Sequence, residues 1–223
     1  MSDDVSWLTA RPEDVGDTYG RLLAAALSAF AARGFHGTTT RDIAGLAGVS
    51  PAALYVHFPS KVDVLETIMR AGLQAALEVL VGSLAGVVGP VERMHGLVYD
   101  FVSWHAEHHA VARVVQSALP VLDESRRTEI LAIRRQFDQL VRDEIEAGVA
   151  SGDFVVTDSR DAARAVLSLA IDVSRWYSER SRMRPAELAA AYAELVARML
   201  GVSPDAATAV RGSNGRRPVR RSG

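Results

Sequence analysis

The sequence contains no cysteine. A disulfide framework and a thiolate metal site are therefore both excluded, and a reducing cytosol suits such a chain. It also lacks any run of about 18 apolar residues, the length that marks a membrane-crossing helix. The longest candidate, near Leu77 to Val88, is broken by Glu78, Ser83 and several glycines. The first residues, MSDDVSWLTARPEDV, are acidic and show no basic region ahead of an apolar stretch, so no secretory signal is expected there. GxSxG, the Walker loop, HExxH and the Rossmann glycine pattern are all missing. The carboxylates are scattered as caps and surface charges. We expect a cytoplasmic protein that does not engage a membrane, is not an enzyme and uses no cofactor.

What is present is an ordinary globular composition: 223 residues, 48% hydrophobic and 23% charged. The net charge of −2 is low for a partner of a polyanion, but its distribution matters more than its sum. The segment Arg211 to Gly223 carries five arginines and no acid, which leaves 20 basic and 27 acidic residues in the body. Between Arg33 and Lys61 the balance reverses, with Arg33, Arg41 and Lys61 against Asp42 alone. Negative charge thus sits away from that segment, and such a separation orients a protein on a polyanion.

Apolar residues recur almost everywhere at the helical period, and β-branched alternation is scarce. An all-α fold of about nine or ten helices follows. Leu22, Leu23, Ala26, Leu27 and Phe30 line one face of a first helix over about Val15 to Arg33, closed by Gly34. Thr39 with Asp42 forms a capping box for a short second helix that stops at Gly48. Ser50 caps a third, with Pro51 in its first turn. Ser60 with Asp63 opens a fourth, reaching about Val81. Further helices are expected near Val91–His108, His109–Leu119, Ser125–Ala150, Asp158–Glu179 and Pro185–Leu200. The expected organisation is a disordered N-terminus (1–14), a helix-turn-helix domain (15–60), an effector-binding and dimerisation domain (61–202) and a disordered basic tail (203–223). The tail has too few large apolar residues to offset its ordering entropy.

Two short helices around a glycine turn carry a functional expectation, because such a pair lets its second helix lie in the DNA major groove. The packing needs a small residue on the first helix (Ala44), a glycine at the bend (Gly48) and apolar locks (Ile43, Val49, Leu54). Leu46 and Phe58 are expected in the same core. Thr39, Thr40 and Arg41 stand at a helix N-terminus, which attracts phosphate, and Lys61 stands at the next. Tyr55 and His57 can donate to phosphate oxygens. Pro51, Ala52 and Ala53 are small, so the backbone can come close to base edges. Ala52 and Val56, with Ser50, form a thin base-reading set; apolar contact to thymine methyls and shape readout are the expected mode. An inert helical hairpin, or a helical ligand-binding or scaffold protein without specific DNA binding, is the alternative.

The segments Arg21-Leu22-Leu23-Ala24-Ala25-Ala26, Phe30-Ala31-Ala32-Arg33-Gly34-Phe35 and TTTRDIAGLAGVSPAALYVHFPSKVDVL resemble the N-terminal domain of TetR-family transcriptional regulators over about Arg21 to Leu65. The resemblance implies a homodimer whose two recognition helices read a palindromic operator in double-stranded DNA. It further implies a larger C-terminal domain that binds a small-molecule effector. By resemblance Thr40, Arg41, Tyr55, His57 and Lys61 match phosphate contacts, and Ser50, Pro51 and Ala52 match base-facing positions. Val56 departs from the polar or aromatic residues frequent there.

In the C-terminal half, Gly148 followed by Gly152-Asp153-Phe154, Arg175-Trp176-Tyr177 and the closing Ala-rich helix resemble TetR-family members with acyl-CoA or steroid-derived CoA effectors. That resemblance implies that Arg175 and Trp176 face the effector, since a guanidinium pairs with phosphate or carboxylate and an indole offers a stacking surface. The alternative places Trp176 in the core or a dimer interface and Arg175 in solvent or an ion pair. Phe101, Trp104, His105, His108 and Phe137 complete the candidate effector-lining set. His105 and His109, with Glu107 nearby, suggest a metal pair on one helical face, but no third ligand has clear spacing and no metal is expected. Ala189, Ala190, Ala191 and Ala193 on the last helix permit close approach, so dimerisation through the last two helices is expected, with packing inside one subunit as the alternative.

Overall fold

The computed structural model describes residues 17–178 and 180–202. The expected N-terminal segment 1–14 and the basic tail 203–223 lie outside the described residues. Among those described there are nine α-helices, one 3-10 turn and no strand: α1 (Asp17–Arg33), α2 (Thr40–Leu46), α3 (Pro51–His57), α4 (Lys61–Leu84), α5 (Pro90–Glu107), α6 (His109–Ser117), the 3-10 turn Leu119–Val121, α7 (Glu124–Ser151), α8 (Ser159–Trp176) and α9 (Pro185–Met199). The helix expected over Asp158–Glu179 ends at Trp176, and Asp158 stands just before it. There its carboxylate accepts from the Arg160 and Asp161 backbone N–H groups at 2.8 and 3.1 Å.

The helices divide into two compact units. One takes the described residues up to Glu78, with His105–Gln136 and Val173–Arg180; the other takes Val79–Trp104, Phe137–Asp172 and the described residues from Ser181. In the first unit, the expected stripe of α1 is fully or nearly fully buried from Leu22 to Phe30. It packs against α2 and α6. Gly34 adopts φ +70° and donates to the Phe30 carbonyl at 2.8 Å, which ends α1 and turns the chain toward α2. The α4–α6 approach is close: a Cβ on Gly72 would lie 2.8 Å from Val111 and 3.2 Å from Val115.

In the second unit, Phe101 of α5 and Phe137 of α7 meet with ring centroids 5.7 Å apart. The partly buried Arg93 grips the buried Glu144 through Nε at 2.7 Å and through Nη2. A buried carboxylate is tolerable only when paired in this way. Gly148 leaves room for the buried Phe154 ring, which a Cβ there would strike. The Gly148 carbonyl accepts from the Asp153 and Phe154 N–H groups, and the chain then bonds to the end of α9 through Val155 N–H and Leu200 carbonyl at 2.8 Å.

Candidate nucleic-acid interface

The recognition pair is built from two helices of seven residues each. Helices this short do not persist alone in water, so their caps and their shared core must hold them. Thr39 Oγ1 accepts from the Asp42 N–H at 3.1 Å while the Asp42 carboxylate accepts from the Thr39 N–H at 2.8 Å. This reciprocal box draws the Asp42 carboxyl below its ordinary value, chiefly through the Thr39 hydroxyl. Ser50 Oγ accepts from the Ala53 N–H at 3.2 Å, and Pro51 begins α3 where an N–H is not needed. Ile43, Ala44 and Leu54 are completely buried between the helices. Gly48 turns the chain with φ +68°, and the Val49 N–H returns to the Ala44 carbonyl at 3.0 Å.

Leu46 corrects one expectation. It is 60% exposed rather than part of the core. Ala47 takes the inward position one residue later, and α2 ends at Leu46, so no further turn covers the leucine. Val49 is half-buried and Phe58 is buried against Tyr19, their rings stacked 5.0 Å apart.

The outward face collects most of the expected contact residues. Thr39, Arg41, Ser50, Pro51, Ala52, Tyr55 and Val56 are exposed, Val56 at 81%. On α3, Ala52, Tyr55 and Val56 share one side by the helical spacing of three and four. The half-buried Thr40 shares a hydrogen bond of 3.2 Å between its hydroxyl and that of Tyr55. His57 is half-buried with its ring edge toward Tyr19 at 6.0 Å. Lys61 does more than its position at a helix start implies. Its ammonium donates to the carbonyls of Phe35 at 2.7 Å and Thr38 at 2.6 Å and sits 4.0 Å above the Phe35 ring. Burial pushes its pKa below the ordinary lysine value. Two of three ammonium protons are thus spent on the turn ahead of α2, leaving one for a partner. Thr38, which sequence reasoning passed over, is fully buried and donates to Ala29 and Gly34 carbonyls at 3.1 and 2.9 Å. Arg21 of α1 reaches the Ala47 carbonyl at 3.3 Å and steadies the end of α2.

The candidate effector residues fall in both units. Phe101, Trp104 and Phe137 are buried in the second; in the first, His105 is buried, His108 half-buried and Arg175 exposed. Trp176 is 47% exposed, so it is not a core residue of the protomer. His105 and His109 do not share one helical face, because the chain breaks at His108 with φ −110° and ψ 36° between α5 and α6. His109 Nδ1 lies 3.0 Å from the Ala106 carbonyl. Among the described residues no group of three or more His, Asp or Glu is arranged to hold a metal ion, and no helix is long and apolar enough to cross a membrane.

Comparison with known proteins places these features. Residues 22–68 match the pattern of bacterial regulatory proteins of the tetR family. Residues 88–200 match the tetracyclin repressor-like C-terminal domain. The HTH-type transcriptional repressor KstR2 of Rhodococcus jostii (strain RHA1) is 31% identical over 176 residues, covering 74% of this chain and 85% of that protein. A bacterial regulatory protein in the tetR family from Rhodococcus RHA1 superposes with a TM-score of 0.81 at 36% identity, over 85% of this chain and 100% of the other. The ketosteroid transcriptional regulator KstR2 of Mycobacterium tuberculosis gives 0.76 at 26% identity, over 85% and 97%. With both domain patterns matched along the chain and a repressor of that family 31% identical over 74% of it, the chain belongs to the TetR family of transcriptional regulators.

Proposed function

We propose that this regulator is a ligand-released repressor that occupies a palindromic operator as a homodimer. Residues 15–60 read DNA, and residues 61–202 bind effector and hold the dimer. The observation that carries the reading is the exposed face of α3 with the Thr40–Tyr55 hydroxyl pair at its edge. Thr39, Thr40, Arg41, Tyr55, His57 and the remaining proton of Lys61 take phosphates, and Ser50, Pro51, Ala52 and Val56 meet base edges. Dimerisation through α8 and α9 is supported by an outward apolar row on α9, where Ala191, Leu195 and Met199 are exposed at intervals of four. Similarity to the transcriptional repressor KstR2 supports repression.

The effector is an acyl-CoA or another lipid- or steroid-derived molecule. The ketosteroid regulator among the similar structures supports this class, as do the exposed Arg175 and Trp176, which offer an anion partner and a stacking surface. Release requires the effector to favour the non-binding state by a coupling of about 1–3 kcal/mol, or roughly 5- to 150-fold in operator affinity. Isothermal titration with medium-chain acyl-CoA and steroid-derived CoA thioesters tests it. Binding that weakens DNA affinity is expected; no heat from any thioester removes CoA esters as the effector.

A further inference from the structure

The start of α4 is a junction. On one side, Lys61 holds the turn ahead of α2 through the Phe35 and Thr38 carbonyls. Ser60, three residues beyond the end of α3 at His57, donates to the Asp63 carboxylate at 2.6 Å. On the other side, the same Asp63 receives Arg126 Nη2 from the first turn of α7 at 2.7 Å. Arg126 Nε also lies 3.3 Å from Glu66 and 3.3 Å from Asp123. Glu66 is shared with Arg70, which reaches on to Glu129 at 2.6 Å.

An isolated surface pair would contribute little. Here the central groups are only partly accessible, with side-chain exposures of 30% for Arg126, 24% for Asp63 and 18% for Glu66. Each carboxylate also answers to more than one donor, so no member moves without disturbing the others. The guanidinium is a planar fork, and its partners fix its direction. The chain of contacts therefore runs from α7 through Arg126 and Asp63 to the first turn of α4, and from there to both ends of the recognition pair.

We propose that Arg126 is a positioning residue for operator binding: it touches no DNA, but it fixes the pose in which α2 and α3 are presented. A single half-site accepts one recognition pair as a rigid body, whatever its tether. A full palindrome requires two pairs held at one spacing, so a loosened tether weakens binding only there.

The test uses the full chain and duplexes selected by the wild-type protein from a random pool, as a full palindrome and as its half-site. Arg126→Ala is expected to bind the full palindrome about tenfold more weakly and the half-site within twofold of wild type. The salt slope on the palindrome should stay unchanged, because no phosphate contact is lost. Arg126→Lys, which keeps the charge without the fork, should return palindrome affinity to within threefold. Equal loss on both duplexes, a shallower salt slope, or no loss on either overturns the role. Should Arg126→Ala not fold, Glu66→Gln reads the same comparison, with a smaller palindrome-specific loss expected and an equal or absent loss overturning. The inference rests on the palindrome reading. Wild-type protein without preference for the full site defeats both, whereas a wild-type preference that Arg126→Ala retains undiminished defeats this one alone.

Discussion

The hydroxyls of Thr40 and Tyr55 lie 3.2 Å apart, one at the start of α2 and the other on the exposed side of α3. One hydroxyl donates to the other, so the pair keeps one hydroxyl proton to offer a phosphate oxygen that lies beside it. Tyr55 is 53% exposed and its ring carries little of the fold. Tyr55→Phe should therefore weaken DNA binding about tenfold, the scale of one hydrogen bond to a charged group, while leaving the unfolding transition unchanged. Fluorescence anisotropy with a labelled duplex measures the first and chemical denaturation the second. Affinity within twofold of wild type would remove Tyr55 from the interface.

Gly48 separates strain from space. A Cβ there would meet only Arg21 Nη1, at 3.9 Å, but the φ of +68° disfavours any L side chain. Gly48→Ala should cost about 1–2 kcal/mol in stability from backbone strain alone. Gly48→Asn should cost less, because asparagine visits that region more readily. Urea unfolding of the two variants gives the comparison, and an asparagine variant less stable than the alanine one would contradict it.

The opposite holds at Gly148, whose φ is not positive and whose missing Cβ makes room for the Phe154 ring. Gly148→Ala should cost about 1–3 kcal/mol by overpacking. In a Phe154→Ala background the same change should cost about 0.5 kcal/mol or less, since the two positions couple through direct contact. Additive penalties in the double variant would show that the ring is not the obstacle.

Legibility in the sequence followed the range of the interactions. The caps at Thr39, Ser50 and Asp158 span two or three residues, and each was predictable from residue type and spacing. The glycine bend at Gly48 was readable for the same reason. Leu46 was misplaced because periodicity assigns a face without knowing where a helix stops. Thr38 gave no signal: its burial depends on Ala29 and Gly34 carbonyls that only the folded turn brings near. Lys61 and Arg126 meet partners 26 and 63 residues away, beyond the reach of any local pattern. The candidate effector residues are dispersed in the same way, over α5, the break at His108, α7 and α8.

Two carboxylates tie acidity to the recognition pair. The Thr39 hydroxyl and backbone hold Asp42 below its ordinary value, and the Ser60 hydroxyl, then Arg126, do the same for Asp63. A group whose folded pKa is depressed lends stability that is complete above its unfolded value, about 3.9 for aspartate, and that is lost as pH falls toward the folded value. The thermal midpoint should thus be level down to about pH 5 and fall below about pH 4. Asp63→Asn should flatten part of that fall at the expense of stability at neutral pH. A wild-type midpoint unchanged at pH 3 would contradict the assignment.

In the proposed function, α2 and α3 deliver this chain to a two-fold DNA sequence. Selection of duplexes from a random pool by the full-length protein, followed by titration of the enriched sequence across salt concentrations, tests it most directly. An enriched palindrome bound by two protomers is expected, with affinity that falls steeply as salt rises. No enrichment over the starting pool, or an enriched sequence without two-fold symmetry, would contradict it.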